Sequence, residues 1–370
     1  MAKKIIALAI AGLASTAAFA QSNVTIYGVA DVGFANVTAA GHQNTKAVVS
    51  GGLAGSRIGF KGTEDLGNGL KALFTLEYGL AVDQNAGING DQSSNVARQQ
   101  FVGLSSDKFG TAVAGYLQTA GYDFACAANP VAGGPLDGYT LVSGGSTLLT
   151  CGAKGRASNA VAYISPSFAG VTVALNHARV TETAYNTTTG NDSYANLLAV
   201  NYANGPVSVG AIYSKITASA TAPSDDNTVE YGLRASYDFT VAKLFASYQV
   251  ADAKATAGKN SKWQVSTSIP TTATGAAHLM YARNKMEDGA AHNVSDDNSS
   301  AWTLAYTHGL SKRTTLYAGY TKLFNDKNAS LGAFSIYPQG NSDYNLNKTS
   351  LTPVADGNAS LLAVGINHKF

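Results

Sequence analysis

Only 13% of this 370-residue chain is charged and 45% is hydrophobic, at a mean hydropathy of -0.01, whereas about a quarter of a soluble domain usually carries charge. Its 25 basic and 23 acidic residues leave a formal charge of +2, no net field of the kind that gathers nucleic acid. Beyond residue 20 no apolar run reaches the roughly 20 residues of a membrane helix, so a membrane role leaves only a closed barrel, whose backbone groups are all paired.

Lys3 and Lys4 precede the apolar run "IIALAIAGLA", and Ala18-Phe19-Ala20 stands immediately before Gln21. This reads as a secretory signal over residues 1–20 with an A-x-A cleavage site, too short for a comfortable transmembrane anchor. Without Lys3 and Lys4 the basic residues fall to 23, level with the acidic ones. Residues 21–370 show no composition break and read as one domain.

The first element is "NVTIYGVADVGF", residues 23–34, in which Val24, Ile26, Gly28, Ala30, Val32 and Phe34 alternate with positions that include Thr25, Tyr27 and Asp31. A period of two predicts a strand with two unlike faces. Short alternating segments then recur: "SRIGFKGTE", "LKALFTLEY", "FVGLSS", "GTAVAGY", "SNAVAYIS", "GVTVALNHARV", "ANLLAVNYA", "VSVGAIYSKI", "VEYGLRASYDF" and "KLFASYQV", followed by residues 263–269, 276–287, 299–308, 313–324 and 360–370, sixteen in all. Tight connections ("DLGNG", "SDKFG", "PSFAG", "NGP", "DFT", "PTTATG", "GLSKR") alternate with longer ones rich in Ser, Thr, Asn, Asp and Gly. Short turns at one end and long loops at the other predict an all-β, up-and-down antiparallel transmembrane barrel; a sandwich or a propeller does not require that alternation. The even face of the first strand then meets lipid or a neighbouring subunit, and the odd face, with Asp31, meets water inside.

"SNVTIYGVADVGF", "SRIGFKGTEDLGNGLKALFTLE", "RQQFVGLSSDKFGTAVAG", "SPSFAGV", "LSKRTTLYAGY" and "LAVGINHKF", in this order along the chain, resemble the general porins of Gram-negative bacteria, particularly the betaproteobacterial branch. The resemblance implies a 16-stranded outer-membrane barrel, a homotrimer and a third loop folded inward to narrow the pore. It also implies a second loop (residues 83–94) that latches onto the adjacent subunit, and a terminal Phe370 read by the barrel-assembly machinery. The implied function is passive diffusion of ions and small hydrophilic solutes, with no catalysis and no cofactor.

Such a channel needs fixed charges at a wet constriction. With Ile58 and Phe60 outward, Arg57, Lys61 and Thr63 fall on the lumen side; with Phe101 taken as outward, so do Arg98 and Gln100. By resemblance Arg57, Arg98 and Arg156 form a basic wall, and Tyr116 stands where many relatives carry a further arginine. The third loop is expected over residues 118–155, with its two acids, Asp123 and Asp137, facing the arginines. The alternative for either acid is to cap a turn. Asp31, Lys71 and Glu77 lie on inward phases, as solvated lumen charges. Cys126 and Cys151 both fall in the third loop, where an oxidising compartment permits a disulfide, two free thiols being the other reading.

Other functions fit less well. None of the six histidines shares a G-x-S-x-G or H-E-x-x-H signature with a partner, which argues against a barrel lipase or protease. "DQNAGINGD" has Ile88 where an EF-hand needs Gly and Ser94 where it needs Glu, and no metal site is expected. A substrate-specific channel for anions or sugars would want a ladder of cations or of aromatics; Tyr27, Tyr116, Tyr122 and Tyr139 keep that alternative open. An adhesin role for the long eighth loop, residues 325–359, is a possible addition to transport.

Overall fold

The computed structural model describes residues 23–83, 88, 97–142, 147–181, 193–217, 227–253, 258–287, 297–329, 334–336, 349–351 and 353–370. The expected signal segment, most of the second loop and much of the eighth lie outside the described residues. In chain order the strands are β1 (Asn23–Ala39), β2 (Thr45–Ser50), β3 (Arg57–Gly67), β4 (Leu70–Gly79), β5 (Ala97–Ser106), β6 (Gly110–Gln118), β7 (Arg156–Ile164) and β8 (Val171–Thr181). They continue as β9 (Ser193–Asn204), β10 (Val207–Thr217), β11 (Thr228–Asp238), β12 (Lys243–Ala253), β13 (Gly258–Pro270), β14 (Gly275–Glu287), β15 (Ser299–Gly309) and β16 (Thr314–Asn325). A separate two-stranded ladder, β17 (Phe334–Ile336) with β18 (Thr349–Leu351), precedes the last barrel strand, β19 (Ala359–Lys369).

From β3 to β16 each barrel strand pairs antiparallel with the next in sequence, β16 pairs with β19, and β19 closes the sheet onto β1. The sheet has 17 segments but sixteen staves, because β2 and β3 both pair with β1, through residues 32–37 and 23–29, as two halves of one stave. The break at residues 51–56 is Gly-rich, and alternation in the sequence marks that stave only from Ser56, so β2 adds to the expected stave. Asn68 and Gly69 both adopt positive φ between β3 and β4, the conformation of a tight hairpin turn.

Alternation sorts the two faces. On β1, Val24, Ile26 and Phe34 are exposed on the outside, while Val29, Asp31, Ala35 and Val37 are buried on the inside. Backbone bonds join Phe370 and Gly28 in both directions at 3.1 Å. The terminal ring lies across Gly28, where a Cβ would stand only 2.3 Å from it. Barrel closure therefore uses the last residue of the chain, and the site opposite tolerates no side chain.

Candidate pore constriction

Residues 119–155 join β6 to β7 and carry two short helices, α1 (Ala120–Cys126) and α2 (Gly138–Leu141), and a 3-10 turn at Ala153–Gly155. Ala120, Phe124, Leu148 and Leu149 pack with inward residues of β9 and β10, among them Ala195, Leu197 and Ile212. Leu136, Tyr139 and Val142 pack against Ala301, Ala305, Leu323 and Ala363 on β15, β16 and β19. A segment that leaves β6, reaches β16 and returns to β7 by inward-facing contacts crosses the barrel interior. Small wall residues make the room: a Cβ on Gly319 would stand 2.8 Å from the Leu136 methyls.

Side chains from the wall pin this segment through its backbone. Glu230 accepts from the amides of Thr147 (2.6 Å) and Leu148 (2.8 Å). Gln249 donates to the Leu149 carbonyl at 2.8 Å and accepts from the Tyr139 hydroxyl at 2.5 Å. Gln264 donates to the Ala128 carbonyl (2.6 Å), and Thr303 and Thr321 both donate to that of Leu136 (3.0 and 3.2 Å). The fully covered ammonium of Lys262 lies 4.2 Å from the Tyr139 ring centroid and feels the charges of both Asp137 and Glu230. Cys126 and Cys151 are joined in a disulfide across 25 residues, a closure that removes on the order of 3 kcal/mol of chain entropy from the unfolded state.

Across the lumen, on β3, β4 and β5, one buried carboxylate organises the basic wall. Glu77 takes the Arg98 guanidinium at 2.7 Å through Oε1, and through Oε2 the Tyr27 hydroxyl at 3.0 Å and Arg57 at 3.6 Å. Arg57 also donates to the Gly55 carbonyl. Arg156 stacks over the Tyr122 ring at 4.6 Å, Lys61 sits 5.1 Å from the Tyr27 ring, and Tyr116 stands within electrostatic range of Arg98 and Arg156. Arg57, Arg98, Glu77 and Tyr27 are thus brought together; Lys71 is not, being at the far end of β4 opposite Asp65 and Ser105.

Several expectations need correction. Asp31 points inward but meets no water: it is 0% exposed and accepts from the amides of Gly52, Leu53 and Ala54, the Tyr317 hydroxyl and the Asn367 amide, at 2.7–3.2 Å. It fastens the break between β2 and β3 to the wall. Asp137 does not line the pore. It is 1% exposed and caps α2, accepting from the amides of Tyr139 and Thr140, from the Thr140 hydroxyl and from Asn129.

Asp123 is exposed, but the charge that acts on it is Arg234 of β11, not the three arginines across the lumen. Its side chain is open to the lumen, but the surrounding protein partly desolvates the carboxylate. This desolvation raises its pKa to about 6, against a downward pull from Arg234.

Phe101 faces inward, opposite Thr75, while Val102 and Leu104 are the exposed outer residues, and Gln100 lies opposite outward Leu76. Arg98 still reaches the interior because Ala97 and Gln99 pair with the consecutive residues Tyr78 and Glu77, leaving Arg98 as the extra residue of a β-bulge, a device that re-aims one side chain.

Sequence reasoning missed Arg234, Glu230, Gln249, Lys262 and Gln264. A signal was present: inward positions of β14, β15 and β19 carry Ala282, Ala301, Ala305, Ala359 and Ala363, and a wall built of alanine where water was expected is a wall that something covers.

The Gram-negative porin family matches residues 7–328 of the chain. Outer membrane porin protein 32 of Delftia acidovorans is 34% identical over 360 residues, covering 92% of this chain and 95% of that protein. An anion-selective porin from Comamonas acidovorans superposes with a TM-score of 0.73 at 26% identity, over 95% of this chain and all of the other. The trimer form of OmpT, an outer-membrane protein of Vibrio cholerae, shares the fold at a TM-score of 0.62 and 14% identity, over 94% and 99% of the two chains.

Proposed function

The chain belongs to the Gram-negative porin family and is an outer-membrane channel for passive diffusion of ions and small hydrophilic solutes, and from that premise we propose that its constriction favours anions. The observation that carries this reading is the sharing of Glu77 by Arg57 and Arg98, which leaves the wall with one uncompensated guanidinium beside Arg156 and Lys61. The facing loop supplies little to balance it: Asp137 is spent on its cap, and Asp123 is set against Arg234. A structural relative described as anion-selective supports the same sign.

In this reading three barrels form a homotrimer, as in the trimer form of the Vibrio protein. The segment 1–20 is removed after Ala20, Phe370 serves as the assembly signal, and transport involves neither a catalytic step nor a cofactor. Reversal potentials of the reconstituted protein across a planar bilayer in a KCl gradient test the proposal. Chloride should pass more readily than potassium; equal or inverted permeability overturns it.

A further inference from the structure

The crossing loop is held in two different ways. Its middle, residues 128–149, is tied to the far wall at both ends: Gln264 on β13 donates to the Ala128 carbonyl and Gln249 on β12 to that of Leu149. Those two strands are neighbours in the sheet. Cys126 and Cys151 stand just outside the two ties. The stretch that the disulfide encloses therefore has its ends fixed side by side already, and the effect of the bond falls outward, on the limbs that lead back to β6 and β7.

The two limbs are anchored unequally. The incoming one, α1, is bound to the wall by the Ala120 amide, which donates to Asn176 at 2.8 Å, and by Phe124, packed on β9 and β10. On the returning limb, among the described residues, the hydrogen bonds of residues 150–154 run only to Gly155 and Arg156, and Ala153 and Lys154 are exposed. The limbs meet at their base, where the Gly155 carbonyl accepts from the amide and the hydroxyl of Thr119 at 3.1 and 2.8 Å. At their far end the disulfide joins them, and through it the returning limb shares the anchorage of α1.

Arg156 depends on both limbs. Arg57 and Arg98 lean on Glu77, but no carboxylate among the described residues lies within ion-pair distance of Arg156. Its guanidinium lies over the Tyr122 ring of α1 at 4.6 Å, and its Nη1 donates to the Gly152 carbonyl of the returning limb at 3.4 Å. Its Nε is buried with no hydrogen-bond partner. Tyr122 stands one helical turn before Cys126, and Gly152 directly follows Cys151. The disulfide closes the frame in which this guanidinium sits.

We propose that the Cys126–Cys151 disulfide is a selectivity-determining element: it holds the Arg156 guanidinium at the lumen, and its reduction by a small thiol lowers the anion preference of the pore. The proposal rests on the anion-favouring reading of the basic wall. Cys126 is half-buried and Cys151 covered, so the attack falls on Cys126. A thiolate bonds to its sulfur and expels Cys151 as a thiolate; a second thiolate then displaces Cys126 from the mixed disulfide. The protein gains two electrons and two protons as two thiols, and the two small thiols leave joined to each other. The returning limb is then free, and Arg156 loses its fixed place while Arg57 and Arg98 remain on Glu77.

These are the only two cysteines of the chain, so a reductant acts at this bond alone. The oxidised protein is reconstituted in a planar bilayer under a KCl gradient, treated with dithiothreitol and returned to thiol-free, oxygen-free buffer. Alkylation and mass measurement of a parallel vesicle sample count the thiols released. The chloride-to-potassium permeability ratio is expected to fall about twofold, the scale of one screened charge among several. Cys126→Ser/Cys151→Ser should sit at the reduced value and ignore dithiothreitol. Arg156→Ser should start from a lower ratio and show no further fall on reduction, because the bond acts through that residue. Heat-modifiable gel migration shows which variants are folded; if the serine pair does not refold, reduction of the already folded channel gives the answer by itself. A ratio unchanged after complete reduction, even with a lower unfolding midpoint, marks a purely structural bond and overturns the proposal. An equal fall in Arg156→Ser overturns it as well, as does a bond that dithiothreitol cannot open in the folded channel. An oxidised channel that does not favour chloride counts against the anion reading, while the change on reduction still decides the role of the disulfide.

Discussion

Inward-facing polar side chains do opposite work on the two sides of this lumen. On β3, β4 and β5 the arginines stay in partial contact with water, Arg57 with 27% and Arg98 with 18% of its side chain exposed, and they share one carboxylate. On β11 to β16, Glu230, Gln249, Lys262, Gln264, Thr303 and Thr321 are all covered, at 2% exposure or less. The first set leaves charge unspent in the pore. In the second, all but Lys262, which lies against the Tyr139 ring, bond to the backbone of the crossing loop, where an unmade bond would cost far more than a made one contributes. In a barrel of this kind, an inward phase tells where a side chain starts, and the loop decides whether it ever meets water.

The largest effect should come from breaking the covered side. Glu230→Leu removes the two carboxylate oxygens that accept from the Thr147 and Leu148 amides and leaves the Lys262 ammonium with Asp137 as its remaining acidic neighbour. Breaking a buried charge set in this way costs about 3 to 5 kcal/mol. Urea unfolding in liposomes should show that loss, with open-channel noise rising as residues 147–149 come loose. Glu230→Gln, which keeps an acceptor of the same shape, should lose less. An unchanged midpoint for Glu230→Leu would mean that the disulfide and the apolar clusters hold the loop without it.

Substitution on the open side should change selectivity more than stability. Replacing Arg57 and Arg98 together by Ser frees Glu77 in the lumen, so the KCl reversal potential should move toward cations. Glu77→Gln, which removes the one shared carboxylate, should move it the other way. Two shifts of the same sign would contradict the assignment of this wall as the source of preference.

The barrel was legible because alternation and turn length are local signals. Val24, Ile26, Leu104 and Leu233 face outward as a period of two requires, and Asn68-Gly69 marks its hairpin without any tertiary information. What was not legible depends on one-residue irregularities and on remote partners. Phe101 reads as a lipid-facing aromatic, yet faces inward; Arg98 reaches Glu77 only through a bulge that no local pattern announces. Asp31 looks like a lumen charge until the chain doubles back at residues 52–54 to donate three amides to it. The bond from Thr303 to the Leu136 carbonyl spans 167 positions, and neither residue carries a hint of the other. The cap at Asp137 was visible as an alternative, but burial chose between the two readings.

A smaller effect sharpens the comparison, because Asp123 stands between the two sides. Partial desolvation inside the barrel raises its carboxyl to about 6, with Arg234 pulling it down. Above that value it carries a negative charge into the lumen and offsets part of the basic wall; below it the charge is gone while every arginine remains. Anion preference should therefore grow as the pH falls from 7 to 5. Asp123→Asn should hold the low-pH preference throughout and abolish the step. Full persistence of the step in that variant would place the titrating group elsewhere. Because one carboxylate is set against Arg234 and lies across the lumen from the other cations, screening by pore water should keep the change well below that of the Arg57 and Arg98 pair.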